Sequence, residues 1–141
     1  MVDQSTLDLL RGTLGYTDAQ WDKWKSNPRN MKVAENLFEF QKYKIVAEVT
    51  SAYGCGAQHK VGDRIVFDGG GLLHCEEGPN RICFGLLSPI TLCIGGFFDK
   101  IASGEDPRNF TFNMIHCSDV GVDHGGWGEV VAEIKVEKIQ E

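Results

Sequence analysis

At 141 residues, with 42% hydrophobic and 24% charged side chains, the chain is large enough to bury one core and too small for two ordinary domains. Those proportions exclude a disordered or fibrous polymer. A net charge of -6, with 14 Lys and Arg that nowhere cluster, excludes a nucleic-acid surface, since neutralising phosphates takes gathered cations.

The opening residues, MVDQSTLDLLRG, carry acids where a secretory signal has basic residues, so a cytoplasmic location is expected. Residues 3 to 42 hold two of the three Trp and neither Cys nor His, and their signals are helical. Thr17 and Gln20 have capping-box spacing, with Tyr16 and Trp21 at the two positions of a hydrophobic staple. A helix is therefore predicted from Asp18, stopping by Asn27 because Pro28 disfavours helical geometry in the residue before it. Trp21 and Trp24, three apart, share its face. A second short helix is predicted over Met31 to Phe38, where Val33, Leu37 and Phe38 recur at helical spacing. Together these make an N-terminal helical segment, residues 1 to 42, whose Trp21, Trp24 and Phe38 surface either packs on the chain's own core or docks a protein partner or second copy.

At Tyr43 the period changes to two: Ile45, Ala47 and Val49 alternate with Lys44, Glu48 and Thr50, as in a half-buried strand. A turn carrying Cys55 and His59 then leads through Gly62-Asp63 into a second short strand that ends at Asp68. The glycines Gly69 to Gly71 lack both spacings of a phosphate loop and read as a turn. From Arg81 to Ser103 apolar residues dominate, which suits one or two short core helices, with Ser88-Pro89 as a helix start and Gly95-Gly96 as a break. Because Pro89 and three glycines fall within the apolar run Ile82 to Phe98, a buried segment is favoured over a membrane span. Cys93 in this run reads as packing.

Phe110, Phe112 and Met114 alternate with Thr111 and Asn113 as a strand ending at His116-Cys117. A glycine-rich loop, Asp119 to Gly128, precedes a last strand in which Val130, Ala132, Ile134 and Val136 face one way and Glu133, Lys135 and Glu137 the other. Helical and strand patterns fall in separate blocks, so the fold expected is α+β: a small, mostly antiparallel sheet or partial barrel with short helices, its core domain running from 43 to 141.

The five cysteines, an odd number without an export signal, are expected to be reduced. Cys55 and His59 lie four apart on a turn, Cys83 follows a loop and Cys117 ends a strand, so each sits at an element boundary from which a side chain can reach a common centre. Thiolate and imidazole are the donors that zinc and many iron sites use. No Cys-x-x-Cys pair occurs, which removes the usual signal of a zinc ribbon, ferredoxin cluster or thioredoxin-like dithiol. His116, Asp119 and His124 add nitrogen and oxygen groups near Cys117, and Asp119 and His124 are the candidates for general acid and base work. A nucleophilic cysteine with His59 or His116 as base is the remaining chemical reading.

The run Cys55-Gly-Ala-Gln-His59-Lys60-Val61-Gly62-Asp63, then Arg81-Ile82-Cys83 leading to Pro89, then Cys117-Ser118-Asp119, resembles a family of small, uncharacterised prokaryotic proteins. Its members carry Cys-Pro-x-Gly-His-Lys-x-Gly-Asp, a central Cys-Pro and a late Cys-Pro-Asp. The similarity spans about Tyr43 to Ile139 and departs from the pattern at Gly56, Gln58, Phe84 and Ser118. The resemblance implies a site shared by Cys55, His59, Cys83, Cys117 and Asp119 and brings no reaction with it.

The function expected is metal binding, zinc or iron, through Cys55, His59, Cys83 and Cys117, in a small protein or the small subunit of a larger enzyme. A stand-alone metal-dependent hydrolase or lyase acting on a small molecule is the first alternative, with Asp119 or His124 as acid or base and the loops Gly69 to Gly71 and Gly125 to Gly128 as pocket walls. A metal-free structural or interaction subunit is the second.

Overall fold

In a computed structural model that describes residues 1–109 and 111–139, the longest strand, β1 (Tyr43–Tyr53), lies inside a four-stranded antiparallel sheet. It pairs with β2 (Arg64–Asp68) on one side and β4 (Glu129–Lys138) on the other, and β3 (Met114–His116) lies outside β4, giving the order β2-β1-β4-β3. The sheet is open, and with its helices it makes the expected α+β fold.

Strand alternation decides what each face of the sheet buries. Ile45, Ala47 and Val49 of β1 join Ile65, Phe67, Val130, Ala132 and Ile134 in a core beneath one long helix, α4 (Phe84–Ala102). On the other face, Arg64 Nη2 lies 2.8 Å from Glu137 Oε1 and Lys135 Nζ lies 2.6 Å from Glu48 Oε2, so that face carries charge while Val46 and Val66 stay buried. Leu86, Ile90 and Phe97 of α4 are wholly buried, worth about 1.5–3 kcal/mol each by transfer from water.

One continuous helix of 19 residues replaces the one or two short pieces expected to begin at Ser88-Pro89 and break at Gly95-Gly96. Pro89 lacks the N–H that would bond the carbonyl of Gly85, and the Ser118 N–H, 2.9 Å away, takes that carbonyl instead. Past the glycines, Phe97 and Ile101 remain buried on the sheet, and packing carries the helix through a stretch of poor propensity. The helix has the length and composition to cross a membrane, and here it packs one side against the sheet.

Before β1 come α1 (Gln4–Leu14), α2 (Asp18–Lys25), α3 (Pro28–Glu35) and a 3-10 segment, Leu37–Lys42. The predicted capping box closes α2: Gln20 N–H donates to Thr17 Oγ1 at 3.3 Å and Thr17 N–H to Gln20 Oε1 at 3.0 Å. Pro28 ends one helix and opens the next at its first position, with the Asn27 side chain as cap, so the second predicted helix starts three residues early. Helix α1, absent from the sequence reading, is capped by Asp3, whose carboxylate accepts the Thr6 N–H at 2.9 Å.

Trp21 is buried and stacks on Trp24 at 5.1 Å and on Tyr16 at 6.1 Å, so much of the aromatic face is spent within the N-terminal segment. The segment meets the core where Phe40 packs edge-on against Phe97 and Phe98, and where Asn36 Nδ2 donates to the Ala102 carbonyl at 3.3 Å. The strand expected from Phe110 is shorter than its alternation suggests: Phe110 lies outside the described residues, 111 and 112 form a bend, and β3 covers Met114 to His116.

Candidate functional site

Three pieces of chain meet at the end of β1. The first is the turn after Gly54, closed where Gln58 N–H donates to the Cys55 carbonyl at 3.0 Å. Gln58 takes a left-handed conformation at φ 62°, uncommon outside glycine, and the next residue, His59, is 4% exposed. The second piece is the loop after β3. Its Asp119 carboxylate accepts N–H groups from Gly121 at 3.0 Å, Trp127 at 3.0 Å and Gly128 at 3.3 Å. At Gly128 this loop touches β1 so closely that a Cβ would stand 2.1 Å from the Tyr53 carbonyl oxygen, which excludes any side chain. The third piece is the first turn of α4, capped by Cys83 and bonded to the loop through Gly85 and Ser118. A Cβ on Gly85 would meet Ser118 Oγ at 2.5 Å.

Between them is a cavity of about 260 Å³ lined by Cys55, His59, Cys83, Cys117 and Asp119, with Glu129 and the exposed Trp127 also on its wall. All five positions singled out in the sequence therefore border one space. His124, the other acid–base candidate, is exposed on the 3-10 turn Val122–His124 and lines no part of this cavity. Of the two loops expected as walls, Gly125 to Gly128 contributes Trp127 and Gly128. Gly69 and Gly70 border a separate apolar hollow with Val33, Leu37, Phe40 and Phe98.

Each side chain on the wall has distinct neighbours. Cys117 is 8% exposed; its N–H donates to the Val130 carbonyl at 2.9 Å, and its sulfur accepts the Val130 N–H at 3.3 Å. Sulfur thus replaces the carbonyl oxygen as acceptor at the last rung between β3 and β4, while that carbonyl lies 2.6 Å from His116 Nδ1. Cys83 stands at the positive end of the α4 dipole, where negative charge is favoured. The Asp119 carboxyl is held below the usual carboxylate range by the amides of Gly121 and Trp127, so it serves the loop as an ionised acceptor.

His59 differs most from its expected role. Its Nε2 accepts the Cys83 backbone N–H at 3.2 Å, so the lone pair that would bind an ion is already engaged. Its buried Nδ1 makes no hydrogen bond and lies 3.6 Å from Asp63 Oδ2. This geometry places the ring proton on Nδ1 facing Asp63 and makes the imidazole a brace for the main chain at Cys83.

Among the described residues, no three His, Cys, Asp or Glu side chains are gathered closely enough to hold a metal ion as they stand. Cys55, Cys83 and Cys117 border the same space without being drawn together. The other two cysteines lie elsewhere: Cys75 is exposed on the 3-10 turn Cys75–Glu77, and Cys93 lies half-buried in α4, where burial pushes its thiol up.

Sequence reasoning missed Gly85, Ser118 and Glu129 as parts of the wall. The available signal was Pro89, four residues after Gly85 in an otherwise helical run: a carbonyl released there has to find a donor. No protein-family model, curated protein or solved structure matches this chain.

Proposed function

We propose that this chain binds a thiophilic metal ion, zinc or iron, through the sulfurs of Cys55, Cys83 and Cys117. The observation that supports the reading is a single cavity bordered by three cysteines far apart in sequence, whose formally charged lining residues, among those described, are the acidic Asp119 and Glu129. An acidic, sulfur-lined space favours a cation, and thiolate donors select zinc, copper(I) and iron among the biological metals. Bringing the sulfurs onto one centre requires the thiols to turn toward the cavity, which for Cys117 means giving up the Val130 N–H.

In this reading His59 positions Cys83 through the main chain, and Asp119 holds the loop that carries Cys117. The three walls belong to the β1–β2 turn, α4 and the β3–β4 loop, so an ion there would tie separate elements together and stabilise the fold by mass action. A structural site of this kind suits the residues better than hydrolysis, because the Asp119 carboxylate is occupied by backbone amides.

The test is metal content after anaerobic purification, for the native chain and for Cys55→Ser and Cys83→Ser, with circular dichroism to confirm that each variant is folded. The expected result is near-stoichiometric zinc or iron in the native protein and its loss from both folded variants. Native protein that is folded, free of metal and unable to take up added zinc or iron would overturn the proposal.

A further inference from the structure

We propose that the turn at His59 and the loop before α4 form a second binding site, a small polar pocket that takes hydrogen phosphate. The argument for it begins with an unmet donor. His59 Nε2 accepts the Cys83 N–H, so the ring proton sits on Nδ1, and this buried N–H makes no hydrogen bond within the protein. Asp63 Oδ2 stands 3.6 Å from it, beyond hydrogen-bond distance. A buried donor without an acceptor costs free energy, and in native proteins such a group is ordinarily met by something. His59 borders two spaces, the cysteine cavity and a separate pocket of about 250 Å³, and Asp63, which Nδ1 faces, lines only the second. That volume falls below the usual range for drug-sized ligands and suits a small ion.

The walls are set by main-chain contacts. Lys60 N–H donates to Asp63 Oδ2 at 3.1 Å, Asp63 N–H donates to the Lys60 carbonyl at 3.0 Å, and Val49 N–H donates to the Asp63 carbonyl at 2.9 Å, which fastens the turn to β1. Gly78 lies so close to β2 that a Cβ there would stand 2.3 Å from the Arg64 carbonyl oxygen, and this pins the loop that continues through Asn80 and Arg81. Lys60, Asn80 and Arg81 complete the polar lining. Among the described residues neither the Lys60 ammonium nor the Arg81 guanidinium has an ionic partner, in a chain whose net charge is -6.

Two cations and a ring N–H call for an anion with oxygen acceptors, and a guanidinium fork matches phosphate or carboxylate geometry. Asp63 chooses among such anions. The Lys60 N–H occupies its Oδ2, and its Oδ1 has no donor among the described residues, so the pocket also holds an acceptor that needs a proton. A carboxylate or sulfate ion has no proton to give at neutral pH and sets bare oxygens against that carboxylate. Hydrogen phosphate carries both kinds of group: oxygens for Arg81, Lys60 and the His59 Nδ1–H, and a hydroxyl that donates to Asp63. Discrimination then comes from the repulsive element as much as from the attractive ones.

Isothermal titration calorimetry at neutral pH and constant ionic strength, in buffer containing a chelator, compares inorganic phosphate with sulfate on the native chain, Asp63→Asn and Arg81→Gln. The expected result is saturable binding of phosphate by the native chain, with sulfate weaker by more than about tenfold. Asp63→Asn keeps an oxygen for the Lys60 N–H and offers sulfate a donor, so it should narrow that gap, while Arg81→Gln should weaken phosphate by about tenfold. Nitrogen-15 NMR should show the His59 Nδ1 resonance moving as phosphate saturates. A folded native chain that binds no phosphate, or that binds phosphate and sulfate alike as loose attraction to Lys60 and Arg81 would, overturns the proposal. No cysteine lines this pocket, so the result is independent of whether the cysteine cavity takes a metal.

Discussion

Two histidines sit toward opposite ends of β1, each beside an aspartate, and they are held in opposite ways. His74 is partly exposed, with Nε2 2.9 Å from Asp68 Oδ2 and Nδ1 3.0 Å from Glu76 Oε1, so both nitrogens face carboxylates and the charged ring is favoured. His59 is buried, stands 3.6 Å from Asp63, and uses its lone pair on the Cys83 amide. Where water reaches, the chain builds a cluster of charges that solvent screens. Where it does not, the chain uses main-chain hydrogen bonds and close backbone contact, and those depend on specific residues.

By that contrast, the largest loss comes from breaking the backbone contact at the cysteine end. Gly128→Ala drives a methyl group into the Tyr53 carbonyl and is expected to cost about 3 kcal/mol in urea unfolding. His59→Leu keeps the volume and removes the acceptor, leaving the Cys83 N–H unpaired; the expected loss is about 1–3 kcal/mol, and His59→Gln should restore part of it. A Gln variant no more stable than the Leu variant would remove the bracing role.

A subtler break is Pro89→Ala, which gives α4 back an N–H that competes with Ser118 for the Gly85 carbonyl. The helix should gain stability while the Cys117 loop loosens, read as faster alkylation of Cys117 under native conditions. Unchanged alkylation would show that the bond to Ser118 does not hold the loop.

The smallest effect belongs to the solvated end. The His74 ring is raised above its ordinary value of 6.5, by the hydrogen bond to Asp68 first and that to Glu76 second. A raised value means that its stabilisation is fully present below the ordinary pH of titration and fades as pH rises through the raised one. His74→Gln should therefore narrow the stability difference between slightly acidic and alkaline pH by a small amount. A steeper pH dependence in the variant would contradict a stabilising charged ring at His74.

The same contrast explains what could be read from the sequence. The strands β1, β2 and β4 were legible because one face of each is buried, which writes a period of two into the side chains, and α2 was legible because its cap is local chemistry. α4 was misread because Pro89 and Gly95 carry local signals that burial against the sheet overrides, and the partner for the carbonyl of Gly85 lies on a distant loop. At the site, the boundary positions of Cys55, Cys83 and Cys117 pointed to one space. The role of His59 was not legible, since its acceptor bond goes to a main-chain amide 24 residues on, which no spacing of side chains encodes.

In the proposed site three sulfurs serve one centre. X-ray absorption at the metal edge of the zinc- or iron-loaded protein counts them directly. A shell of three sulfurs is expected, at about 2.3 Å in the zinc form, with no bound metal left in Cys83→Ser. A shell of only oxygen and nitrogen around the bound ion, unchanged in that variant, would contradict it.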